Sequence, residues 1–467
     1  MPENAGFRIA VISGKLGDVD GVSLETDKWI DQLQALGHNV TTIAGRYADP
    51  LESIPAESQI LLESIRFDSP AQKACERMVF PHLSRKPPVF NAQQRDRLVE
   101  EMELAGRDIA QELFGLLQER SIDLLIAQNT NAMPMTLLGG LSVNELVTRR
   151  RMATVFHHHD FWWERSRFSH NYIESLLNRI MPPAEVGTEH VVLTSYAAHI
   201  LRSFKRVEPA VIPNCEDFEN TVQLDEYNSH FRSDLGFEDS DILVVQPTRI
   251  VRRKRIEDSL ELLGRLTARY PRLGERIRYL VSLYQGDERD PDYVEEIKET
   301  ARRLNIRLYL ISERVAARRG RDSLKRRVYT NRDAIANADV VTYLPIWEGF
   351  GNALLETIAC RKPLVTTTYL VYKTDIKATG LENIEIRDNY DQEGRLVIPD
   401  SAVEELHQLL TRPDVCAEVV ERNFQIASQE FGLPTLKGKL EGLLAEYGDE
   451  IRACRQRLRK SKRSYSV

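Results

Sequence analysis

The chain has 467 residues, 42% hydrophobic and 28% charged, proportions of a soluble globular protein, and it is long enough that two or three domains are expected. A net charge of −7 speaks against a general nucleic-acid binder, and no apolar run approaches the roughly 20 residues that span a bilayer, so no integral membrane segment is expected. The cysteines (Cys75, Cys215, Cys360, Cys416 and Cys454) are scattered without a C-x-x-C pair, which supports neither a disulfide framework nor a structural zinc site and suits a reduced cytoplasmic protein. The opening MPENAGFRIAVISG runs directly into a strand, with no basic and apolar segments of a secretion signal. FRIAVISG, the loop KLGDVDGVS, the helix LETDKWIDQLQALGH and the strand NVTTIAG make a strand–helix–strand unit, and hence a parallel sheet. IDLLIAQ, ATVFHHH, HVVLTS and PAVIP continue the alternation. After a polar stretch around 218–240 the pattern restarts with ILVVQPT, the loop RIVRRKR and the helix IEDSLELLGRL, followed by the strands IRYLVSL, IRLYLIS, DVVTYLP and KPLVTTT. The expectation is two α/β halves, 1–225 and 226–434, with a helix over 435–460 packing back on the first. The tail RQRLRKSKRSYSV has too thin an apolar face for a membrane-surface helix and reads as solvated.

Three stretches carry chemistry. In IWEGFGNALLE a strand ends at Pro345, a glycine loop follows, and a helix begins near Asn352, which is able to cap it. Such a helix start offers free N–H groups and a positive dipole end to an anion. Glycine on both sides of Phe350 is costly unless the backbone bends or approaches a ligand. Glu356, one turn into the helix, is placed to accept hydrogen bonds from a vicinal diol such as a ribose. The second stretch, TRIVRRKR, follows the first strand of the second half, where ligands bind in open α/β sheets; Arg249 and Lys254 offer a fork and a point charge to a diphosphate.

The third stretch is VFHHHDFWWER. Successive strand residues face opposite sides, so His157, His158 and His159 cannot all ligate one ion, and no metal is expected there. A strand-end histidine beside Asp160, with Phe161, Trp162 and Trp163 behind it, suits a sugar ring. Asn129 and Asn131, in QNTNAMP after a strand of the first half, are candidate acceptor contacts by position. The loop GKLGDVDGVS is neither G-x-G-x-x-G nor a Walker motif, and reads as a close backbone approach to a ligand. Its Asp18 and Asp20 look like a metal-binding pair, a pattern common by chance.

These residues resemble the retaining GT-B-fold glycosyltransferases of family 4. Glu348, Gly349, Phe350, Gly351 and Glu356 match that family's E-x7-E motif. Arg249 and Lys254 match its diphosphate-holding pair, and HHHDF falls where it carries a strand-end histidine. IPNCED resembles its I-P-N-G-V-D stretch, departing at Cys215 and Glu216, and GDVDGVS, with Gly21, resembles its phosphate-facing glycine loop. After PLVTTT the chain reads YLVYKTDIKATG where the family usually has Gly-Gly and a glutamate. The resemblance implies two Rossmann-like domains facing across a cleft. It also implies transfer of a sugar, with retention, from a nucleoside diphosphate sugar (UDP or GDP) to a hydroxyl of a small soluble acceptor, a sugar or hydroxy acid. Arg249 and Lys254 would neutralise the leaving diphosphate, Glu356 would hold the ribose, and Glu348 with Gly349, Phe350, Gly351 and Asn352 would orient the sugar. His158 or His159 with Asp160 would act near the reacting carbon, with Trp163 towards the acceptor. No cofactor or metal is implied, and a homo-oligomer is compatible with the sequence. A non-hydrolysing sugar-nucleotide epimerase and a nucleic-acid-binding protein are the alternatives.

Overall fold

The computed structural model describes residues 6–18, 20–283 and 290–464, with side chains as far as residue 458. It divides into two compact units, Met1–Pro213 with Pro434–Val467, and Asn214–Leu433. Residues 214–225 therefore belong with the second unit. The physical reason is local bonding: the Asn214 Nδ2 donates to Asn352 at 2.6 Å and the Glu216 N–H to the Phe431 carbonyl at 2.8 Å.

In the first unit seven strands run β1 (Arg8–Ser13), β2 (Asn39–Ala44), β3 (Gln59–Leu61), β4 (Leu124–Gln128), β5 (Thr154–His158), β6 (Thr188–Val192) and β7 (Ala210–Val211). Their spatial order is β3-β2-β1-β4-β5-β6-β7, parallel throughout. The central strands are near-continuous apolar runs because helices cover both faces of a parallel sheet; Ile9 to Ile12 and Leu124 to Ala127 are all buried.

The second unit repeats the plan. β8 (Ile242–Gln246), β9 (Ile277–Val281) and β10 (Leu308–Leu310) are followed by a short hairpin, β11 (Gly320–Arg321) and β12 (Arg327–Val328). Then come β13 (Val340–Tyr343), β14 (Leu364–Thr367) and β15 (Ile384–Ile386). The sheet order is β10-β9-β8-β13-β14-β15, again parallel. Both sheets wind outward in two directions from a reversal point, β1/β4 in one and β8/β13 in the other, and ligands of doubly wound sheets bind at the carboxyl ends of those strands.

β3, β15 and the hairpin have no counterpart in the sequence reading; each is two or three residues long, too short to show periodicity by itself. The terminal helix is two helices, Leu433–Glu446 and Gly448–Ser464. The Tyr447 hydroxyl between them donates to the Gly187 carbonyl at 2.6 Å and accepts from the Thr154 N–H at 3.0 Å. Ile451 and Cys454 are buried, and Arg455 makes two bonds, 2.8 and 2.6 Å, to Asp123. Of the basic tail, Arg455 is thus packed on the first unit while Gln456 and Arg457 are exposed; the side chains from Arg459 onward lie outside the described residues. Among the described residues no helix is long and apolar enough to cross a membrane.

Candidate active site

In the second unit the loop after β13 and the loop after β8 converge on one carboxylate. Glu348 accepts from Arg253 at 2.7 Å and from the Lys254 ammonium, and both Glu348 and Lys254 side chains are only 11% exposed. Burial alone would raise the Glu348 carboxyl, but Lys254 and Arg253 more than offset this and hold it below the usual carboxylate range. Burial also pulls Lys254 down to about 8, against the attraction of Glu348 and with Arg253 and Arg249 adding to the fall. The Lys254 ammonium sits 5.0 Å from the Tyr343 ring centroid, a cation–π contact at the end of β13. Arg249 stands nearby with no hydrogen-bonded or ion-paired side-chain partner among the described residues. Gln246, fully buried at the end of β8, fastens this loop by donating to the Lys254 carbonyl at 3.0 Å.

The glycine loop is shaped by neighbours as much as by any ligand. Gly351 has φ +128°, and a Cβ there would lie 2.4 Å from the Tyr369 hydroxyl, so only glycine fits. That hydroxyl donates to the Phe350 carbonyl at 2.7 Å. The Phe350 side chain is buried edge-on against Phe431, so only its backbone faces the loop. Gly351, not Asn352, is the N-cap of the helix Asn352–Ala359, and no side chain caps it. The Asn352 side-chain oxygen Oδ1 instead accepts from the Asn214 amide. Glu356 accepts from Asn331 at 3.4 Å.

In the first unit the triple histidine divides between two faces, as strand alternation requires. His157 stacks on Trp29, centroids 4.1 Å apart, and its ring lies 4.4 Å from that of His159. Gln128 Oε1, at the end of β4, lies 2.8 Å from His157 Nδ1 and 3.3 Å from His159 Nε2. An amide oxygen only accepts, so both nitrogens carry hydrogens in this arrangement and Nδ1 is left as the acceptor of His159. His158 points the other way and pairs with His190 at 3.0 Å, almost fully buried. Burial holds His159 and His190 down at about 4, and lowers His157 and His158 as well; for His159 the nearby Asp160 and Asp20 pull upward without prevailing.

Asp160 is braced, accepting from Asn129 at 3.1 Å and from Arg165 at 3.0 Å. Asn129 also takes the His159 N–H at 3.1 Å, so its amide holds the β5 turn. Asn131 is 1% exposed and donates to the Gly140 and Ile180 carbonyls, which removes it as an acceptor contact. Trp163 stacks on Phe161 at 4.6 Å and remains partly exposed.

In the loop after β1, Gly21 is exposed and heads the helix Gly21–Ala35, capped by Asp20 through the Val22 and Ser23 N–H groups. Gly17, at φ +70°, is required by its own chain, since a Cβ would lie 2.0 Å from the Asp49 carbonyl oxygen. Lys15 binds Asp18 at 2.8 Å and Asp20 at 2.9 Å. Among the described residues no three His, Cys, Asp or Glu side chains group as a metal site.

The sequence reading missed Arg253, Tyr343, Gln128, Trp29 and His190. Arg253 lay in the basic run; Gln128 is a polar residue closing an apolar strand, which is a signal; the aromatic and distant partners leave no local trace.

Two Rossmann-like units, each with its polar cluster at the sheet's reversal point, are the build of GT-B glycosyltransferases. The solved structure of HepE from Anabaena with UDP and glucose shares the fold, with TM-score 0.58 over 94% of this chain and 99% of that one, at 15% identity. No family model matches the chain. A mannosylglucosylglycerate synthase of Thermotoga maritima is 32% identical over 92% of this chain and 98% of its own. One from Petrotoga mobilis is 27% identical, over 87% and 94%. The chain belongs to the retaining GT-B glycosyltransferases of family 4. These relatives favour neither the epimerase nor the nucleic-acid reading.

Proposed function

We propose that this glycosyltransferase moves a hexosyl unit from a UDP- or GDP-sugar to a glycosylated hydroxy acid, a product of the class that the two relatives' names describe, and needs no metal to do so. The observation that carries the donor half is the largely buried Glu348 clasped by Arg253 and Lys254 at the β8/β13 reversal point, beside Arg249, whose guanidinium has no partner among the described residues. Cations in a largely dry site are worth more against developing charge than the same cations in water. Arg249 and Lys254 neutralise the leaving diphosphate, while the uncapped helix start at Gly351 and Asn352, with Gly349, supplies N–H groups to it or to the sugar. Glu356 takes the ribose diol. In the first unit His159, neutral at physiological pH, accepts a ligand hydroxyl at Nδ1, with Asp160 and Trp163 adjacent; Gly21, exposed in the loop after β1, is a further ligand contact.

The test is direct. The purified enzyme is incubated with glucosylglycerate and each of several UDP- and GDP-hexoses, and the glycoside and released nucleotide are quantified. Thermal shift with the same donors identifies the base, because a ligand that binds only the folded state raises its apparent stability. Transfer to glucosylglycerate from one donor is expected; transfer only to a lipid or a long glycan would overturn the acceptor assignment.

A further inference from the structure

Away from the histidines, the carboxyl edge of the first sheet also carries cations. The loops after β1 and β2 are bonded to each other: the Leu16 N–H donates to the Arg46 carbonyl at 3.0 Å and the Ala48 N–H to the Leu16 carbonyl at 2.9 Å. Lys15 and Arg46 therefore stand on adjoining loops. The chain after β3 packs closely against them; a Cβ on Gly45 would lie 2.4 Å from the Arg66 Cα, so no side chain fits there. That chain brings Phe67, whose ring centroid is 5.6 Å from the Lys15 ammonium and 5.7 Å from the Arg46 guanidinium. The three cations of this cluster are unequally satisfied. Lys15 holds Asp18 at 2.8 Å and Asp20 at 2.9 Å, and Arg66 lies 2.7 Å from Asp68. Arg46 comes only to 3.6 Å from Asp68 and 3.8 Å from Asp18, too far for a hydrogen bond. Its Nε is buried and unbonded among the described residues, while the side chain as a whole is 40% exposed. A planar fork of five donors is thus within reach of a ligand, with no acceptor on it among the described residues.

We infer that Arg46, with Lys15 and the Phe67 ring beside it, is a carboxylate site for the acid end of the acceptor. This rests on the acceptor proposed above, a glycosylated hydroxy acid. Such a molecule is uncharged along its sugar and anionic at one end, and the edge of the sheet has the same two characters. Gln128 and His159, at the ends of β4 and β5, offer neutral groups to hydroxyls. Arg46, after β2, offers the fork that matches a carboxylate. β2 and β4 flank β1, two strand spacings or about 10 Å apart, a span that a sugar joined to a three-carbon acid can cover. A carboxylate reaching Arg46 gains charge-assisted hydrogen bonds without breaking any, because the pairs of Lys15 and Arg66 stay in place.

The experiment is steady-state kinetics of the whole enzyme with glucosylglycerate and with glucosylglycerol, in which a neutral alcohol replaces the carboxylate, at a saturating level of the active donor. Wild type is expected to favour the acid by about tenfold to a hundredfold in kcat/KM, the scale of hydrogen bonds to a charged group. Arg46→Gln should bring that ratio to within about threefold, mainly by raising the KM for the acid, with the donor KM little changed. Arg46→Lys, which keeps the charge and loses the fork, should fall between the two. Should Arg46→Gln not fold, Arg46→Lys decides the matter on the same ratio. A wild-type ratio in these variants, or a wild type that uses both acceptors equally, makes the inference wrong and leaves the acceptor reading standing. A raised donor KM in Arg46→Gln with an unchanged ratio would assign the guanidinium to the donor's phosphates instead, and also overturns it. If the wild-type enzyme transfers nothing to glucosylglycerate, the acceptor reading falls and this inference with it.

Discussion

The two units wind their sheets in the same order and close a central strand with a buried glutamine, yet what those glutamines hold is opposite in kind. Gln246 grips the backbone of a loop whose side chains are cations, Arg249, Arg253 and Lys254, set against Glu348. Gln128 grips two histidines that burial keeps uncharged. On the proposed function, the difference follows from what each edge would meet. A diphosphate leaving group is met by fixed positive charge, the strongest available form of transition-state stabilisation. Neutral sugar hydroxyls need oriented donors and acceptors, and a charge there would cost desolvation without return. One scaffold therefore presents a charged site and an uncharged one, and substitutions should separate them.

The largest effect is expected on the charged side. Lys254→Ala removes a cation from the diphosphate and leaves Glu348 to Arg253 alone. Turnover should fall on the order of a thousandfold, and Tm should fall too because a largely buried carboxylate loses a partner. Arg249→Ala separates these effects: with no ion pair to break among the described residues, it should cost about a hundredfold in turnover and little in Tm. An Arg249→Ala protein that melts far below wild type, while its folded fraction keeps full activity, would make that arginine structural and break the comparison.

On the uncharged side the expected losses are smaller and depend on the face. His159→Asn should lower transfer about tenfold to a hundredfold, at roughly 1.4 kcal/mol per decade, while donor affinity changes little. His158→Asn should act on stability instead, since it breaks a buried pair with His190 on the opposite face. Kinetics and melting on both variants check this. Loss of transfer in His158→Asn with unchanged Tm would move the function to the other face.

How much of this was legible before folding depends on how local the cause is. The strand–loop–helix alternation, the E-x7-E spacing and the two-faced histidines are written in contiguous residues, and the structure keeps them. Asn131 was misjudged because polarity and position said nothing of the two carbonyls, Gly140 and Ile180, that claim its amide. Asn352 does not cap the helix because Gly351 takes the N-cap position and Asn352 is already the first helical residue, its side-chain oxygen accepting from the distant Asn214. In the loop GKLGDVDGVS, expected to approach a ligand, the glycine at 17 makes room for Asp49. For Asn131 and the glycine at 17 the deciding partner lay on another element.

pH should pull the two units apart. Lys254, at about 8 in the free enzyme, carries its charge below that pH and loses it above. The donor kcat/KM is therefore expected to decline above about pH 8, reaching about a tenfold loss one unit higher, because that ratio reports the free enzyme. The first unit fails on the acid side. His157, His158, His159 and His190 are held below their unfolded value, so their contribution is complete above about 6.5 and drains away as pH falls towards about 4. The slope is roughly 1.4 kcal/mol per pH unit for each histidine that stays neutral only when folded. Denaturant titrations between pH 7 and 4 measure it, and the His158→Asn protein should show a shallower decline. A flat stability profile over that range would mean the four rings take up protons in the folded state as readily as in the unfolded one.

The smallest expected effect is that of a chelator. A divalent ion in a glycosyltransferase neutralises the leaving diphosphate, and on the proposed function Arg249 and Lys254 would do that work in this chain. The pair of aspartates that would attract a cation, Asp18 and Asp20, is bridged by Lys15 at 2.8 and 2.9 Å, and Arg46 lies 3.8 Å from Asp18. A metal would have to displace an ammonium that burial disfavours but these two carboxylates hold above its ordinary pKa. Activity in excess EDTA should stay within about twofold of the untreated enzyme, and added magnesium or manganese should not raise it. Lys15→Ala sharpens the point, because it vacates the two carboxylates: if a metal can serve there at all, this variant is where dependence on it should emerge. Complete loss of wild-type activity in EDTA, restored by either ion, would overturn metal independence and make Asp18 and Asp20 the candidate ligands.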